Sequence, residues 1–340
     1  MGKWDYVVEV ALREAEAYYQ QYGTALTLRG LFYILVSKNV IPNTVTAYQQ
    51  LSSRLAKARY EGRFPWHLLR DTTRRVLRLE RETRYPDRAL TAEELRAILE
   101  QYVKHYTNVS LNPWEDQPYR IIVVIEKEAL GDLVAKFIEE VWSHGVYAVR
   151  VIRGYDSATD VYLLAEAIAS LPENQRPVIL QLGDYDPSGE DIVRDLRERL
   201  MMLSKRHDII FEKVAVTLDQ IIEIQLPAKP ESMDEIQKMR RDPRYKGYIE
   251  KLTSLAQQDE RVKKLIDMYG SPEIRVELDA LVALAPERFK QILRSAIEKY
   301  FDWNIYNTVT RQREEELRRR AEEVRLKTME EMSKLTGTSS

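Results

Sequence analysis

The chain has no cysteine. Disulfides, zinc–thiolate centres, iron–sulfur clusters and cysteine nucleophiles are excluded together. Histidine is scarce: His67, His105, His144 and His207 are all there is, and none is paired at metal-ligand spacing. A bound metal must therefore be held by carboxylates, which selects hard ions such as Mg²⁺. Long apolar runs are missing too, and Met1 to Tyr6 has no apolar signal core, so a soluble, cytoplasmic protein is expected. No charge dominates: 52 basic side chains face 54 acidic ones, for a net of −2. That excludes a bulk polycation and leaves local nucleic-acid surfaces open. What is present suffices for a core, since 44% of the 340 residues are apolar, and the length predicts two domains.

The charge is unevenly spread. From Arg54 to Arg88 there are 11 basic residues against five acidic ones. The segment before and into this stretch reads as helices. Trp4–Tyr22 has helical spacing and stops at Gly23, Thr27 caps Leu28–Ser37, and Pro42-Asn43-Thr44 opens a third helix running to about Tyr60 and ended by Gly62. Three short helices with a basic third one suit a helix-turn-helix or winged-helix module; a helical bundle with solvated arginines is the alternative. Arg54, Lys57, Arg59, Arg63, Arg74, Arg75 and Arg78 are the expected phosphate contacts, whereas Tyr48 and Trp66 are expected in the core or as staples rather than as base-stacking platforms.

Pro113, Pro118 and the polar Asn112–Gln117 segment read as a linker. The period then changes. Ile121–Ile125 is a continuous apolar run, as in a parallel strand buried on both faces. Strands are expected again at Tyr147–Ile152, Pro177–Leu182 and Ile209–Val216, with helices at Leu130–Ser143, Ala158–Ser170 and Glu190–Ser204 between them. This alternation predicts an open parallel α/β sheet. The rest is mostly helical, including a helix from Pro286 to about Tyr300 and a charged one over Thr310–Leu335. The latter is expected to be a solvated packing helix rather than a zipper.

Glu126 directly follows the first strand, and Asp184 and Asp186 end the third. Strand C-termini line the ligand crevice of such sheets, and residues i and i+2 share a face. Three converging acids repel unless a cation neutralises them, which predicts Mg²⁺, with Mn²⁺ able to substitute, and a phosphate substrate. The alternative is helix capping by these acids. Glu128 is expected to open the next helix.

Ile125-Glu126-Lys127-Glu128-Ala129-Leu130 with Gly183-Asp184-Tyr185-Asp186-Pro187-Ser188-Gly189 resembles a Toprim domain, the metal-binding module of topoisomerases, primases and several nucleases. The two motifs most resemble the A subunit of topoisomerase VI and its relative, the meiotic double-strand-break transesterase. Arg153-Gly154-Tyr155-Asp156 falls where that family has a Gly-rich loop, and Val276-Glu277-Leu278-Asp279-Ala280-Leu281 resembles a segment of bacterial and phage proteins of this group. The likeness covers about residues 119–217. It implies a winged-helix-like DNA-binding domain over 1–112, a Toprim metal-binding domain over 119–217 and a mostly helical extension over 218–340.

The resemblance also implies a nucleophile. Tyr33, in Arg29-Gly30-Leu31-Phe32-Tyr33, falls on the family's catalytic tyrosine, although Gly30 and Phe32 depart from its pattern. Arg29 and Tyr33 are i and i+4 on one helix, so the guanidinium can hold a phosphodiester that the phenolate attacks. The implied reaction is Mg²⁺-dependent cleavage of double-stranded DNA through a phosphotyrosine link, in a homodimer whose sites span two subunits, with a separate ATPase subunit for strand passage. No phosphate-binding Gly-x-x-x-x-Gly-Lys-Ser/Thr loop occurs in this chain. A Toprim nuclease using water, with Glu126, Asp184 and Asp186 at the metal, is the alternative. A non-catalytic DNA-binding protein is the third.

Overall fold

The computed structural model describes residues 2–70, 91–108, 111–151, 158–231 and 233–335. In chain order it opens with α1 (Lys3–Tyr22), β1 (Leu26–Thr27), α2 (Leu28–Ser37), α3 (Val45–Tyr60), β2 (Leu69–Arg70) and α4 (Ala92–Tyr106). The sheet region follows as β3 (Tyr119–Ile125), α5 (Glu128–Val141), β4 (Ala148–Val151), α6 (Ala158–Ala169), β5 (Arg176–Leu182), α7 (Pro187–Ser204) and β6 (Ile210–Ala215). Helices complete it: α8 (Leu218–Ile224), α9 (Met233–Arg240), α10 (Pro243–Gln258), α11 (Glu260–Tyr269), α12 (Leu278–Leu284), α13 (Pro286–Glu298), α14 (Trp303–Ile305) and α15 (Arg311–Leu335).

The chain groups into two compact units, Met1–Thr73 with Tyr119–Tyr300, and Arg74–Pro118 with Phe301–Ser340. These boundaries fall elsewhere than a division at 112/119 and 217/218. In particular, the first three helices share a unit with the sheet.

In the first unit, β4-β3-β5-β6 form one parallel sheet. The apolar run is its reason: Ile121 to Ile125 are all buried, because β3 is central and covered on both faces. Ile122 and Val124 meet Val161, Leu164 and Ile168 of α6 and Leu196 and Leu200 of α7. The opposite side is covered by α5 and α13, whose Phe137 and Phe289 pack at 6.3 Å. Gly23 (φ 59°) stops α1 in a left-handed conformation, and Thr27 caps α2 by accepting from the Gly30 N–H at 2.9 Å.

Two backbone links draw the 274–277 segment to the sheet edge. Tyr185 and Val276 exchange N–H···O bonds of 2.8 and 3.0 Å, and the Lys229 N–H donates to the Arg275 carbonyl at 2.8 Å. Between those ends, α9 to α11 make an excursion in which Tyr248 packs on Tyr185 and donates to the Ile274 carbonyl.

In the second unit, Asn112–Gln117 is not a free linker. Trp114 is buried against Phe301 at 5.0 Å, and the Gln117 amide bonds both the N–H and the carbonyl of Asp302. An aromatic ring and an amide with two backbone partners outweigh the polar composition that suggested a linker. α15 is exposed along most of its length and laced with i,i+4 pairs such as Arg319–Glu323.

Candidate active site

Glu126 is the first residue past the apolar run, and its N–H donates to the Leu182 carbonyl of β5 at 3.1 Å. Gly183 is held in turn by Ala215 and Val216 at 2.7 Å each. A Cβ on Gly183 would stand 2.4 Å from Gln181 Nε2 and 3.0 Å from Glu126 Oε2, and one on Gly189 would stand 2.5 Å from the Asp184 carbonyl oxygen. The two glycines are thus sites of close approach: one makes room for a carboxylate, the other lets α7 start against the Asp184 backbone.

The three expected ligands meet different surroundings. Asp186 caps α7, its Oδ1 accepting from the Gly189 N–H at 2.7 Å with Pro187 in the first turn. Asp184 is buried; Oδ1 accepts from the Leu278 N–H at 2.8 Å and Oδ2 lies 3.1 Å from Lys127 Nζ. Glu126 Oε2 is buried and has no hydrogen-bond partner. Burial, then the charges of Asp184 and Asp186, push the Glu126 carboxyl up to about 7. Burial raises Asp184 as well, although Lys127 opposes it.

A second cluster adjoins the first. Lys127 Nζ lies 2.8 Å from Asp279 Oδ2 and 3.3 Å from Glu277 Oε1, in addition to Asp184. Glu277 Oε2 accepts from the Tyr33 hydroxyl at 2.6 Å and lies 3.0 Å from Arg29 Nε. Thr27 Oγ1 donates to Asp279 Oδ1 at 2.7 Å, and the Arg29 guanidinium stacks 3.8 Å from the Tyr48 ring centre. Burial alone would raise Glu277, but Lys127, Arg29 and the Tyr33 hydrogen bond outweigh it and hold it below the usual range. Burial would lower Lys127; its three carboxylate partners hold it well above its ordinary value. Tyr33 is 0% exposed, and burial followed by the Glu277 charge drives its phenol far up. Gly30 permits this packing, because a Cβ there would meet Ala283 Cβ at 3.2 Å where α2 lies on α12.

Tyr33 and Asp184 are therefore joined within one chain, through Glu277 and Lys127. The packing that unites them could not be read from residues 151 positions apart. Glu277, Asp279 and Lys127 are functional candidates beyond Glu126, Asp184 and Asp186. The signal for them was an acid pair at i, i+2 alternating with the apolar Val276, Leu278 and Ala280. Glu128 opens α5 as expected. Arg153-Gly154-Tyr155-Asp156 lies outside the described residues.

The chemistry of the donors, all carboxylate oxygens, is that of a hard-ion site: Glu126 presents a buried oxygen without a partner, near Asp184 and Asp186. Three carboxylates, Asp184, Glu277 and Asp279, are already paired with Lys127, and Glu277 is paired with Arg29 as well. Among the described residues, no three His, Asp or Glu side chains stand close enough together to share one ion as they are placed, since Asp184 turns to Lys127 and Leu278 and Asp186 to Gly189. An open cleft of ≈ 330 Å³ begins beside Pro187, with Lys229, Lys238 and Arg275 among its lining.

The expected phosphate contacts divide. Arg54 is exposed, and Lys57 and Arg63 are exposed beside Glu61 at 3.6 and 2.6 Å. Arg59 is a correction: it is 6% exposed, and it donates to the carbonyls of Trp66 and Leu69 at 3.2 and 3.1 Å. Its guanidinium satisfies two carbonyls of the turn after α3, so it supports the fold from inside. Trp66 is the opposite correction, at 54% exposure. Tyr48 is half-buried against Phe32. Arg74, Arg75 and Arg78 lie outside the described residues. No family model matches this chain, and no curated protein or solved structure matches it.

Proposed function

We propose that this protein cleaves DNA phosphodiester bonds in a divalent-metal-dependent reaction with water as the nucleophile. The observation that carries this reading is the buried, unbonded Oε2 of Glu126, on a carboxyl raised to about 7 beside Asp184 and Asp186. Burial and two like charges leave this carboxyl short of positive charge, which a divalent ion would supply, and a carboxylate beside that ion is placed to accept a proton from water. Asp184 and Asp186 would hold Mg²⁺, or Mn²⁺ in its place, with Glu126 at its side; when bound, the ion neutralises the phosphodiester and polarises the water. Glu126 takes the proton of the attacking water as its oxygen bonds to phosphorus and the bond to the leaving sugar oxygen breaks. Lys127 steadies Asp184 from the other side. The basic stretch around Arg54–Arg63 and the Toprim resemblance support DNA as substrate.

A second reading, attack by Tyr33, is favoured by one observation: its hydroxyl donates to Glu277 at 2.6 Å, with Arg29 on the same oxygen. Glu277 would take the phenolic proton and Arg29 would hold the phosphodiester. This reading needs the buried phenol to be uncovered, and the homodimer and the ATPase partner belong to it.

Supercoiled plasmid incubated with Mg²⁺ or Mn²⁺, then protease-treated and assayed at its ends, separates the readings. Water chemistry leaves free ends, persists in Tyr33→Phe and falls about 10²–10⁴-fold in Glu126→Gln. Protein bound covalently to DNA ends, and lost in Tyr33→Phe, establishes the second reading instead. Intact plasmid with either ion sinks both and leaves a DNA-binding protein.

A further inference from the structure

Beyond the metal-facing acids, the most pointed surface feature is aromatic. Tyr60 is 83% exposed at the end of α3, and Trp66 is 54% exposed in the turn after it. Their ring centres are 5.3 Å apart and their planes meet at 82°. Two exposed aromatic planes at nearly a right angle make a corner, a floor and a wall, whose shape fits a flat group.

The corner is held rigid. The Arg59 guanidinium lies 4.4 Å from the centre of the Trp66 ring, while its Nη2 donates to the Trp66 and Leu69 carbonyls. One face of the indole is thereby occupied by a buried cation. An aromatic floor fixed from beneath loses little freedom when a planar ligand stacks on it.

The approach to the corner is cationic. Arg54, Lys57 and Tyr60 follow at i, i+3 and i+6, one row along α3. Among the described residues Arg54 has no ion-pair partner, and the Lys57–Glu61 pair at 3.6 Å is exposed, so it yields readily to a competing anion. Arg54, Lys57 and Arg63 are exposed along this stretch, against one acid, Glu61.

We infer that Tyr60 and Trp66 form a stacking platform for an unpaired nucleobase, with Arg54 and Lys57 holding the phosphates beside it. Stacking on exposed rings beside a positive row is how proteins hold single strands. In a duplex the base faces are covered by their neighbours, so the corner takes single-stranded, flipped or frayed DNA. The choice of DNA rests on the proposed function; the choice of an unpaired base rests on the corner itself.

The test measures binding in EDTA, where cleavage plays no part. Fluorescence anisotropy compares labelled oligo(dT) with a duplex of equal length for the full chain. Tyr60→Ala and Trp66→Ala are each expected to weaken oligo(dT) binding roughly tenfold while changing duplex binding less than about twofold. Trp66→Phe keeps a ring and retains most of the affinity. Arg54→Ala weakens both ligands. Oligo(dT) also quenches the part of the tryptophan emission that is lost in Trp66→Phe. Among the described residues Tyr60 supports no other side chain through a hydrogen bond, so its variant remains informative even if Trp66→Ala loosens the turn. Equal losses for both ligands, no loss in Tyr60→Ala, or no binding of oligo(dT) by the wild type would overturn the inference. Selective binding by a chain that leaves plasmid intact would uphold it and overturn the cleavage reading alone.

Discussion

Glu126 and Glu277 are two glutamates near the same end of the sheet, and their protons are held in opposite ways. Burial and two neighbouring aspartates raise Glu126 to about 7, and one of its oxygens has no partner. Glu277 is also buried, yet Lys127, Arg29 and Tyr33 hold it below the usual range. Burial alone does not decide a carboxyl's state; what stands within hydrogen-bond reach does. One side of this network is electrostatically closed, the other is short of positive charge, and chemistry is expected on the open side.

The sharpest way to break that contrast is to open the closed side. Lys127→Met removes the cation shared by Asp184, Glu277 and Asp279, leaving buried charges uncompensated. Urea unfolding should show a loss of about 3–5 kcal/mol; a loss below about 1 kcal/mol would mean that water already reaches the cluster. The open side makes the next largest prediction, and it depends on pH. Glu126 keeps its proton to about 7 in the fold, against 4.5 ordinarily. The unfolded chain therefore binds fewer protons between those values, and Glu126 costs stability as pH rises through that window. Glu126→Gln should match the wild type near pH 4 and exceed it by on the order of 2–3 kcal/mol at pH 8. Thermal melts at the two values check this, and a constant difference would refute it.

Smaller effects sharpen the comparison. Tyr33→Phe deletes one buried hydrogen bond to a charged group while Arg29 still pairs with Glu277, so a loss of about 1–2 kcal/mol is expected by urea titration. Arg319→Ala, on the exposed face of α15, should leave the urea midpoint unchanged within error, despite two ion-pair partners. If it cost as much as Tyr33→Phe, the distinction between buried and surface charge would not hold in this molecule.

Much of the frame was legible from residues that act locally. Gly23, Thr27 and Thr44 mark helix ends by their own backbone or hydroxyl chemistry, and α2 spans Leu28–Ser37 as the capping pattern predicts. The unbroken apolar run of β3 announced a central parallel strand. Glu126, Asp184 and Asp186 were visible because a strand's end has a known address in such sheets. Long polar side chains were not legible in the same way. Its place on a basic helix marks Arg59 as a surface cation, yet it points in, where two carbonyls of a later segment accept from it. Its apolar ring marks Trp66 as core, yet it lies out, with the Arg59 guanidinium against one face. The tie from Tyr33 to Glu277 crosses 244 positions, and no periodicity carries over that distance.

The touching ends at Lys229 and Arg275 have a consequence for how the sheet edge is held. Everything between them leaves that edge and returns to the point of departure, yet it does not hang free. Tyr248 packs on Tyr185, between Asp184 and Asp186, and its hydroxyl donates to the Ile274 carbonyl, three residues before Glu277. One side chain of the excursion thus braces both acid-bearing segments, as a clasp holds two ends of a band.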